Sequence, residues 1–115
     1  MGRASRDKGK RGEREVVRRF NDAGIPCRRR WEGQSMPGGL TLGDLMFGPE
    51  RMAWPIYAEV RHRNTLAIPA WLREIEESAP LGYERTLIFR RDKENWHVAM
   101  PLSDYISLLR EARGI

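Results

Sequence analysis

The chain has 115 residues, and its 21 lysines and arginines against 16 aspartates and glutamates give a net charge of +5. This length suits one domain with a modest core, and a hydrophobic fraction of 40% is too high for a disordered chain. No apolar run is long enough to span a membrane, and the basic N-terminus lacks the apolar segment of a secretory signal. The single cysteine, Cys27, excludes an internal disulfide and favours a reducing, cytoplasmic setting.

The positive charge is concentrated near the N-terminus. Residues 1–31 carry 11 basic and 4 acidic side chains, a balance of +7, whereas residues 32–115 carry 10 and 12, a balance of −2. A local basic surface attracts polyanions, of which nucleic acid is the commonest. A solvated tail that only aids solubility is an alternative for residues 1–12, but the cluster Arg28-Arg29-Arg30 favours nucleic acid.

Taken in chain order, the sequence predicts the elements α-β-β-β-α-β-β-α. A flexible basic arm is expected over residues 1–10, followed by a single domain over 11–115. Apolar residues at helical spacing predict helices over 11–23, over 69–78 and after Pro101. The predicted strands cover 25–31, 42–47, 54–61, 85–90 and 96–100. The second and third strands form a hairpin, and a glycine-rich loop precedes them at 32–41.

Three acidic residues stand at positions where apolar residues are expected. Glu13 lies on the apolar face of the first helix, with Val16 and Phe20. Asp44 and Glu59 each interrupt an apolar strand. Burying unpaired carboxylates costs on the order of several kcal/mol each, so we expect a compensating partner. A divalent cation is one such partner, and Mg²⁺ prefers carboxylates together with water and phosphate oxygens.

Each of these acids also has an ordinary explanation when it is taken alone. Glu13 could be a favourable charge near a helix N-terminus, Asp44 could end a strand, and Glu59 could pair with an arginine. The predicted hairpin, however, sets Asp44 beside Glu59, and facing carboxylates repel unless a positive charge lies between them. Strand alternation puts Arg61 on the same face as Glu59 and Tyr57, which suits metal-assisted phosphodiester hydrolysis.

The order of these motifs resembles that of the PD-(D/E)XK nuclease superfamily. The motifs are Lys8-Gly9, Glu13-Arg14-Glu15, Arg30, Gly43-Asp44 and Ala58-Glu59-Val60-Arg61. Within the superfamily, the chain resembles the archaeal-type Holliday junction resolvases and their phage-encoded relatives, from about Lys8 to Met100. The resemblance implies a restriction-endonuclease-like α/β fold, with a mixed sheet of about five strands flanked by helices.

The resemblance also implies roles for individual residues at an active site. Asp44, Glu59 and the backbone carbonyl of Val60 match ligands of Mg²⁺ or Mn²⁺, and Glu13 matches a glutamate that helps to hold the metal or its water. Arg61 occupies the place of the family's catalytic lysine, which is the main departure from the pattern. Arginine can stabilise charge, but it stays protonated and cannot accept a proton.

A second departure is the loop at residues 32–41, which is longer than the family's and rich in glycine. Ser35 is the candidate there for a serine that aids catalysis in the family. Arg14 and Arg30 match arginines that contact DNA phosphates. The full set predicted to contact DNA is Lys8, Lys10, Arg11, Arg14, Arg28, Arg29, Arg30, Trp31 and Ser35.

We therefore expect a metal-dependent DNA endonuclease that acts on branched DNA, in the cytoplasm of a bacterium or of a phage-infected host cell. A four-way junction has two-fold symmetry, so two symmetric cuts call for a C2 homodimer, with the helix at 69–78 or the last helix at its interface. One alternative is a DNA-binding protein that keeps the fold without the chemistry, which Arg61 supports. Another is a small interaction protein whose carboxylates are simply paired with arginines.

Overall fold

The structure, a computed structural model, describes residues 3–30, 43–49 and 51–115, with side chains from Arg6 onward. Within these residues the elements follow the predicted order α-β-β-β-α-β-β-α. The helices are α1 (Arg3–Asp22), α2 (Ile68–Ser78) and α3 (Leu102–Arg113). The strands are β1 (Cys27–Arg29), β2 (Leu45–Phe47), β3 (Ile56–His62), β4 (Glu84–Arg90) and β5 (His97–Ala99). No helix in this part of the chain is long and apolar enough to cross a membrane.

The described strands form one mixed sheet in the order β1-β2-β3-β4-β5. The pairs β1–β2, β2–β3 and β4–β5 are antiparallel, whereas β3 and β4 run parallel. A parallel pair needs a crossover connection, and α2 provides it between β3 and β4. The expected α/β architecture, with a mixed sheet of about five strands flanked by helices, is confirmed.

Alternate residues of β3 point to opposite faces of the sheet, and a helix packs against each face. On one face Val16 of α1 packs with Ala58 and Val60. On the other face Tyr57 packs with Ile75 of α2. Burial of such an aliphatic side chain contributes about 1.5–3 kcal/mol, so the two layers hold the sheet between them. The odd-numbered residues of β3 therefore share the α2 face, as strand alternation predicts.

The helix α1 begins at Arg3, so residues 3–10, which the sequence predicted to be a flexible arm, are helical in the structure. Lys8 Nζ lies 2.6 Å from Asp92 Oδ1, in the turn between β4 and β5. A Cβ at Gly12 would lie 3.2 Å from the ring of Trp96, so the helix packs closely on this region. These contacts join residues far apart in the chain, and a search for local apolar periodicity could not reveal them.

An Asp–Arg pair joins α3 to the sheet. Asp104 accepts hydrogen bonds from the backbone N–H and from Nη2 of Arg85, both at 2.7 Å. None of the α3 residues is buried, and their apolar side chains stay exposed, Leu102 to 71% and Ile106 to 48%. The last helix therefore presents an apolar face that this chain does not cover within its described residues.

Replacing Asp104 by asparagine should lower the free energy of unfolding by about 1–3 kcal/mol near neutral pH, because the charge-assisted bonds to Arg85 are lost. The hydrogen bonds from Arg85 hold the pKa of the Asp104 carboxyl below its usual value. A lowered pKa in the folded state gives stability that is present above the unfolded-state pKa and is lost as pH falls through the folded-state pKa.

Urea unfolding of the wild type and of Asp104→Asn should therefore differ most at about pH 7 and much less at about pH 2. Ser107→Ala, at an exposed position of the same helix, is the control and should change stability by less than about 0.5 kcal/mol. An equal loss for Asp104→Asn at both pH values would contradict the assignment of this carboxylate as the stabilising group.

Candidate active site

The β2–β3 hairpin places two carboxylates side by side. Leu45 pairs with Ala58, so the antiparallel register sets Asp44 opposite Glu59 one step further along. The backbone N–H of Asp44 donates to the Ala58 carbonyl at 2.8 Å. Asp44 Oδ2 accepts the backbone N–H of Val60 at 2.9 Å. The hairpin thus fixes both the backbone and the carboxylate of Asp44 against β3.

Gly43 allows the hairpin to close this tightly. A Cβ at Gly43 would overlap the carbonyl oxygen of Ala58 and would lie 2.9 Å from its nitrogen. The Gly43 carbonyl in turn accepts a hydrogen bond from Arg30 Nε at 2.8 Å. The glycine before Asp44 is therefore a steric requirement of the site.

The guanidinium of Arg61 lies between the two carboxylates. Its Nη1 is 3.3 Å from Glu59 Oε2 and 3.5 Å from Asp44 Oδ2, and it donates to the Val60 carbonyl at 3.1 Å. Its Nη2 lies 4.0 Å from Oε2 of Glu74, an exposed residue of α2. Arg61 thus supplies the positive charge that two facing carboxylates need.

Burial and crowding raise the pKa of Glu59 well above its usual value, first because burial penalises the charged form and then because Asp44 lies against it. Arg61 and the hydroxyl of Tyr57 lower this pKa without cancelling the rise. The Tyr57 hydroxyl donates to Glu59 Oε1 at 3.0 Å, and burial raises the pKa of Tyr57 to about 12, so it remains a donor. Negative charge on both carboxylates is therefore accommodated best when a cation lies between them.

Glu13 lies near this pair but is held by a different partner. It belongs to α1, on the face of the sheet opposite Glu59, and its Oε1 accepts a hydrogen bond from Arg29 Nε at 2.9 Å. Burial raises the pKa of Glu13 and the bond from Arg29 opposes that rise, while the Asp44 charge raises it further. Across residues 3–30, 43–49 and 51–115, no three His, Cys, Asp or Glu side chains are grouped to hold a metal ion. Among the described residues, the structure therefore brings Asp44 and Glu59 together and leaves Glu13 bonded to Arg29 on the other face of the sheet.

The predicted DNA-binding residues occupy two regions of the structure. In β1 and just after it, Arg28 Nη1 donates to the Gly48 carbonyl at 2.9 Å, Arg29 bonds to Glu13, and Arg30 bonds to the Gly43 carbonyl. On α1, exposed positions are occupied by Lys10, Arg11 and Arg14, whereas Lys8 pairs with Asp92. The remaining two predictions, Trp31 and Ser35 with the glycine-rich loop, lie outside the described residues.

Two neighbours of the carboxylate pair were not predicted from the sequence. Tyr57 was expected on the same face as Glu59, but its hydrogen bond to that carboxylate was not. Glu74 was not singled out, because on a charged amphipathic helix it resembles its neighbours Glu76 and Glu77. Glu74 can be identified only from the packing of α2 on the face of β3 that carries Glu59 and Arg61, and the sequence does not show this packing.

The oxygens around Arg61 Nη1 suit a divalent cation. Asp44 Oδ2, Glu59 Oε2 and the Val60 carbonyl face one point, since a single nitrogen atom reaches all of them within 3.5 Å. Three oxygen donors, two of them from carboxyl groups, match Mg²⁺ or Mn²⁺, which complete their shells with waters and phosphate oxygens. The residues present therefore fit the ion that the sequence resemblance implies.

A mixed sheet between two helical layers, with an acidic pair on the hairpin that precedes the crossover helix, defines the restriction-endonuclease-like class of PD-(D/E)XK proteins. A sequence model of the family described as "Phage putative PDDEXK endonuclease" matches residues 4–113, and the chain belongs to this family. The family assignment confirms the resemblance to phage-encoded members of the superfamily.

A solved structure gives the same fold. The Holliday junction resolvase Hjc of the archaeal hyperthermophile Archaeoglobus fulgidus is similar over 80% of this chain and 76% of that chain, with a TM-score of 0.53 and 20% sequence identity. At this level of identity the likeness establishes the fold. A search of curated proteins gave no significant match.

Gly43→Ala should destabilise the protein by about 1–3 kcal/mol, because a Cβ must push the hairpin away from Ala58. Gly9→Ala is the matched control, since a Cβ at this helical position meets nothing within 4 Å. Gly9→Ala should instead stabilise the protein by about 0.5–1 kcal/mol. Urea unfolding of both variants measures the difference, and a Gly43→Ala variant as stable as the wild type would refute the close approach.

Proposed function

We propose that the protein is a metal-dependent endonuclease that hydrolyses phosphodiester bonds in branched DNA, such as four-way junctions. Membership of the phage endonuclease family supports the reaction class. The observation that carries the proposal is the convergence of Asp44 Oδ2, Glu59 Oε2 and the Val60 carbonyl on one cation position. The expected setting is the cytoplasm of a bacterium or of a phage-infected host cell.

The chain's own groups orient the acids for this reaction. The Val60 N–H holds Asp44, and the Tyr57 hydroxyl binds Glu59 Oε1, which leaves Oε2 directed at the cation position. Asp44, Glu59 and the Val60 carbonyl would hold Mg²⁺ or Mn²⁺, which when bound would supply a water of lowered pKa and positive charge at the scissile phosphate. In this proposal Glu13, whose pKa is raised by burial and by the Asp44 charge, helps to accept the proton of the attacking water.

Arg61 contributes positive charge to the reaction. Because a guanidinium stays protonated, Arg61 stabilises the charge that builds on the phosphate and takes no part in proton transfer. The DNA backbone is held by the exposed cations of α1, Lys10, Arg11 and Arg14, and by Arg28, Arg29 and Arg30 in and just after β1. Binding through such phosphate contacts should weaken steeply as salt is raised.

Asp44→Asn and Glu59→Gln should each reduce the rate of cleavage of a synthetic four-way junction in Mg²⁺ by more than about 100-fold. Loss of a residue that only supports a metal ligand typically costs about 10–100-fold, and loss of a ligand itself should cost more. Gel assays of nicked products measure the rate, and junction binding without metal should persist in both variants. Glu77→Gln, an exposed acid on α2, is the control and should cleave like the wild type.

Several outcomes would separate this proposal from its alternatives. Equal cleavage of linear duplex and junction would remove the preference for branched DNA. Salt-sensitive junction binding with no nicking in Mg²⁺ or Mn²⁺ would favour a DNA-binding protein that lacks the chemistry. Absence of DNA binding would favour an interaction protein whose carboxylates serve only to pair with arginines.

We further propose that two copies assemble as a C2 homodimer through α3. Of the two helices considered from sequence, α2 packs Trp71, Leu72 and Ile75 on the sheet, whereas the apolar residues of α3 remain exposed. Two copies would bury these faces against each other and supply two sites for the two symmetric cuts of a junction.

The double variant Leu102→Glu/Ile106→Glu should convert the dimer into a monomer, because charges would be buried at the shared apolar face. Size-exclusion chromatography with light scattering should give twice the 13.4 kDa chain mass for the wild type and one chain mass for the variant. Met52→Glu, at an exposed position between β2 and β3, is the control and should stay dimeric. A monomeric wild type would contradict the assembly.

A further inference from the structure

The position between the two carboxylates that would suit a metal ion is filled by the guanidinium of Arg61. Nη1 of Arg61 contacts Asp44 Oδ2 at 3.5 Å, Glu59 Oε2 at 3.3 Å and the Val60 carbonyl at 3.1 Å. These are the same three oxygens that fit a divalent ion. An ion bound to them at about 2.0–2.1 Å would take the space that the guanidinium fills, so the two cannot be present together.

We propose that Arg61 is an internal competitor of the divalent cation, which must move out of the carboxylate pair before the metal can enter. This inference rests on the proposed function, since it concerns the same metal site. Without bound metal, the Arg61 guanidinium occupies the cation position and supplies the positive charge and the oxygen contacts that the ion would otherwise supply.

Charge explains why the arginine has to move. A guanidinium does not lose its proton, so Arg61 cannot become neutral when a second cation approaches. Two cations at one carboxylate pair would repel strongly within a partly buried site, where the side chains of Arg61 and Asp44 are each 23% exposed. Displacement of the side chain relieves this repulsion.

Glu74 provides a place for the displaced guanidinium. Its Oε2 lies 4.0 Å from Arg61 Nη2, and its side chain is 64% exposed at the rim of the site. When the long Arg61 side chain rotates toward Glu74, its guanidinium leaves the carboxylates of Asp44 and Glu59 and pairs with the exposed carboxylate of Glu74. A protein that spends most of its time with the site closed binds metal more weakly, in proportion to the fraction that is open.

Mn²⁺ binding tests this inference without any measurement of cleavage. Titrations followed by electron paramagnetic resonance of free Mn²⁺ should give at least about 10-fold tighter binding for Arg61→Met than for the wild type. Arg63→Met is the matched control, because it removes the same charge two positions along the chain from a side chain that bonds to the His62 carbonyl. The control should change the affinity by less than about 3-fold.

Glu74→Gln adds a second comparison. As a single substitution it should weaken Mn²⁺ binding, because the displaced Arg61 guanidinium loses its alternative carboxylate partner. Combined with Arg61→Met, it should have no effect on Mn²⁺ binding. Circular dichroism establishes that each variant is folded, and Arg61→Gln, which also removes the charge, replaces Arg61→Met if the latter is unfolded. Equal or weaker Mn²⁺ binding by the folded Arg61 variant overturns the inference.

The two proposals fail in different ways. If Mn²⁺ binding depends on Asp44 but is not tightened by removal of Arg61, the competition is wrong and the metal site stands. If neither the wild type nor the Arg61 variants bind Mn²⁺, the metal site itself is wrong, and the competition falls with it.

Discussion

The closeness of two carboxylates governs the rest of the site. Asp44 and Glu59 face each other across neighbouring strands, and both can be ionised only if other groups offset their repulsion. Three groups do so: the Val60 N–H, the Tyr57 hydroxyl and the Arg61 guanidinium. All three belong to β3, so a single strand carries one acid of the pair and these three groups that offset the repulsion.

Much of the architecture could be predicted because it follows local rules. Alternation along β3 assigned Tyr57, Glu59 and Arg61 to one face, and the structure places them there with α2. The hairpin between β2 and β3 followed from apolar runs on either side of Gly48-Pro49, and its register brings Asp44 to Glu59. Secondary-structure period and turn chemistry act over a few residues, and these are the distances that sequence patterns report.

What could not be predicted depends on contacts between distant parts of the chain. The extension of α1 through residues 3–10 involves the ion pair of Lys8 with Asp92, and no periodicity in a polar segment signals it. The pairing of Glu13 with Arg29 likewise depends on how a helix docks on a strand. The sequence shows Arg61 as a departure from the family pattern. That its guanidinium lies between Asp44 and Glu59 can be seen only from the positions of the side chains.

The two acids stand on backbones of unequal stiffness. β3 is paired with β4 along all seven of its residues, whereas β2 has three residues and, in the described part of the chain, a single register contact with β3. Glu59 therefore stands on an extensively paired strand, whereas Asp44 is tied to that strand by its own N–H to the Ala58 carbonyl and by the Val60 N–H to its carboxylate. These two hydrogen bonds, more than the length of β2, set the distance between the acids and so the size of the ion that fits between them.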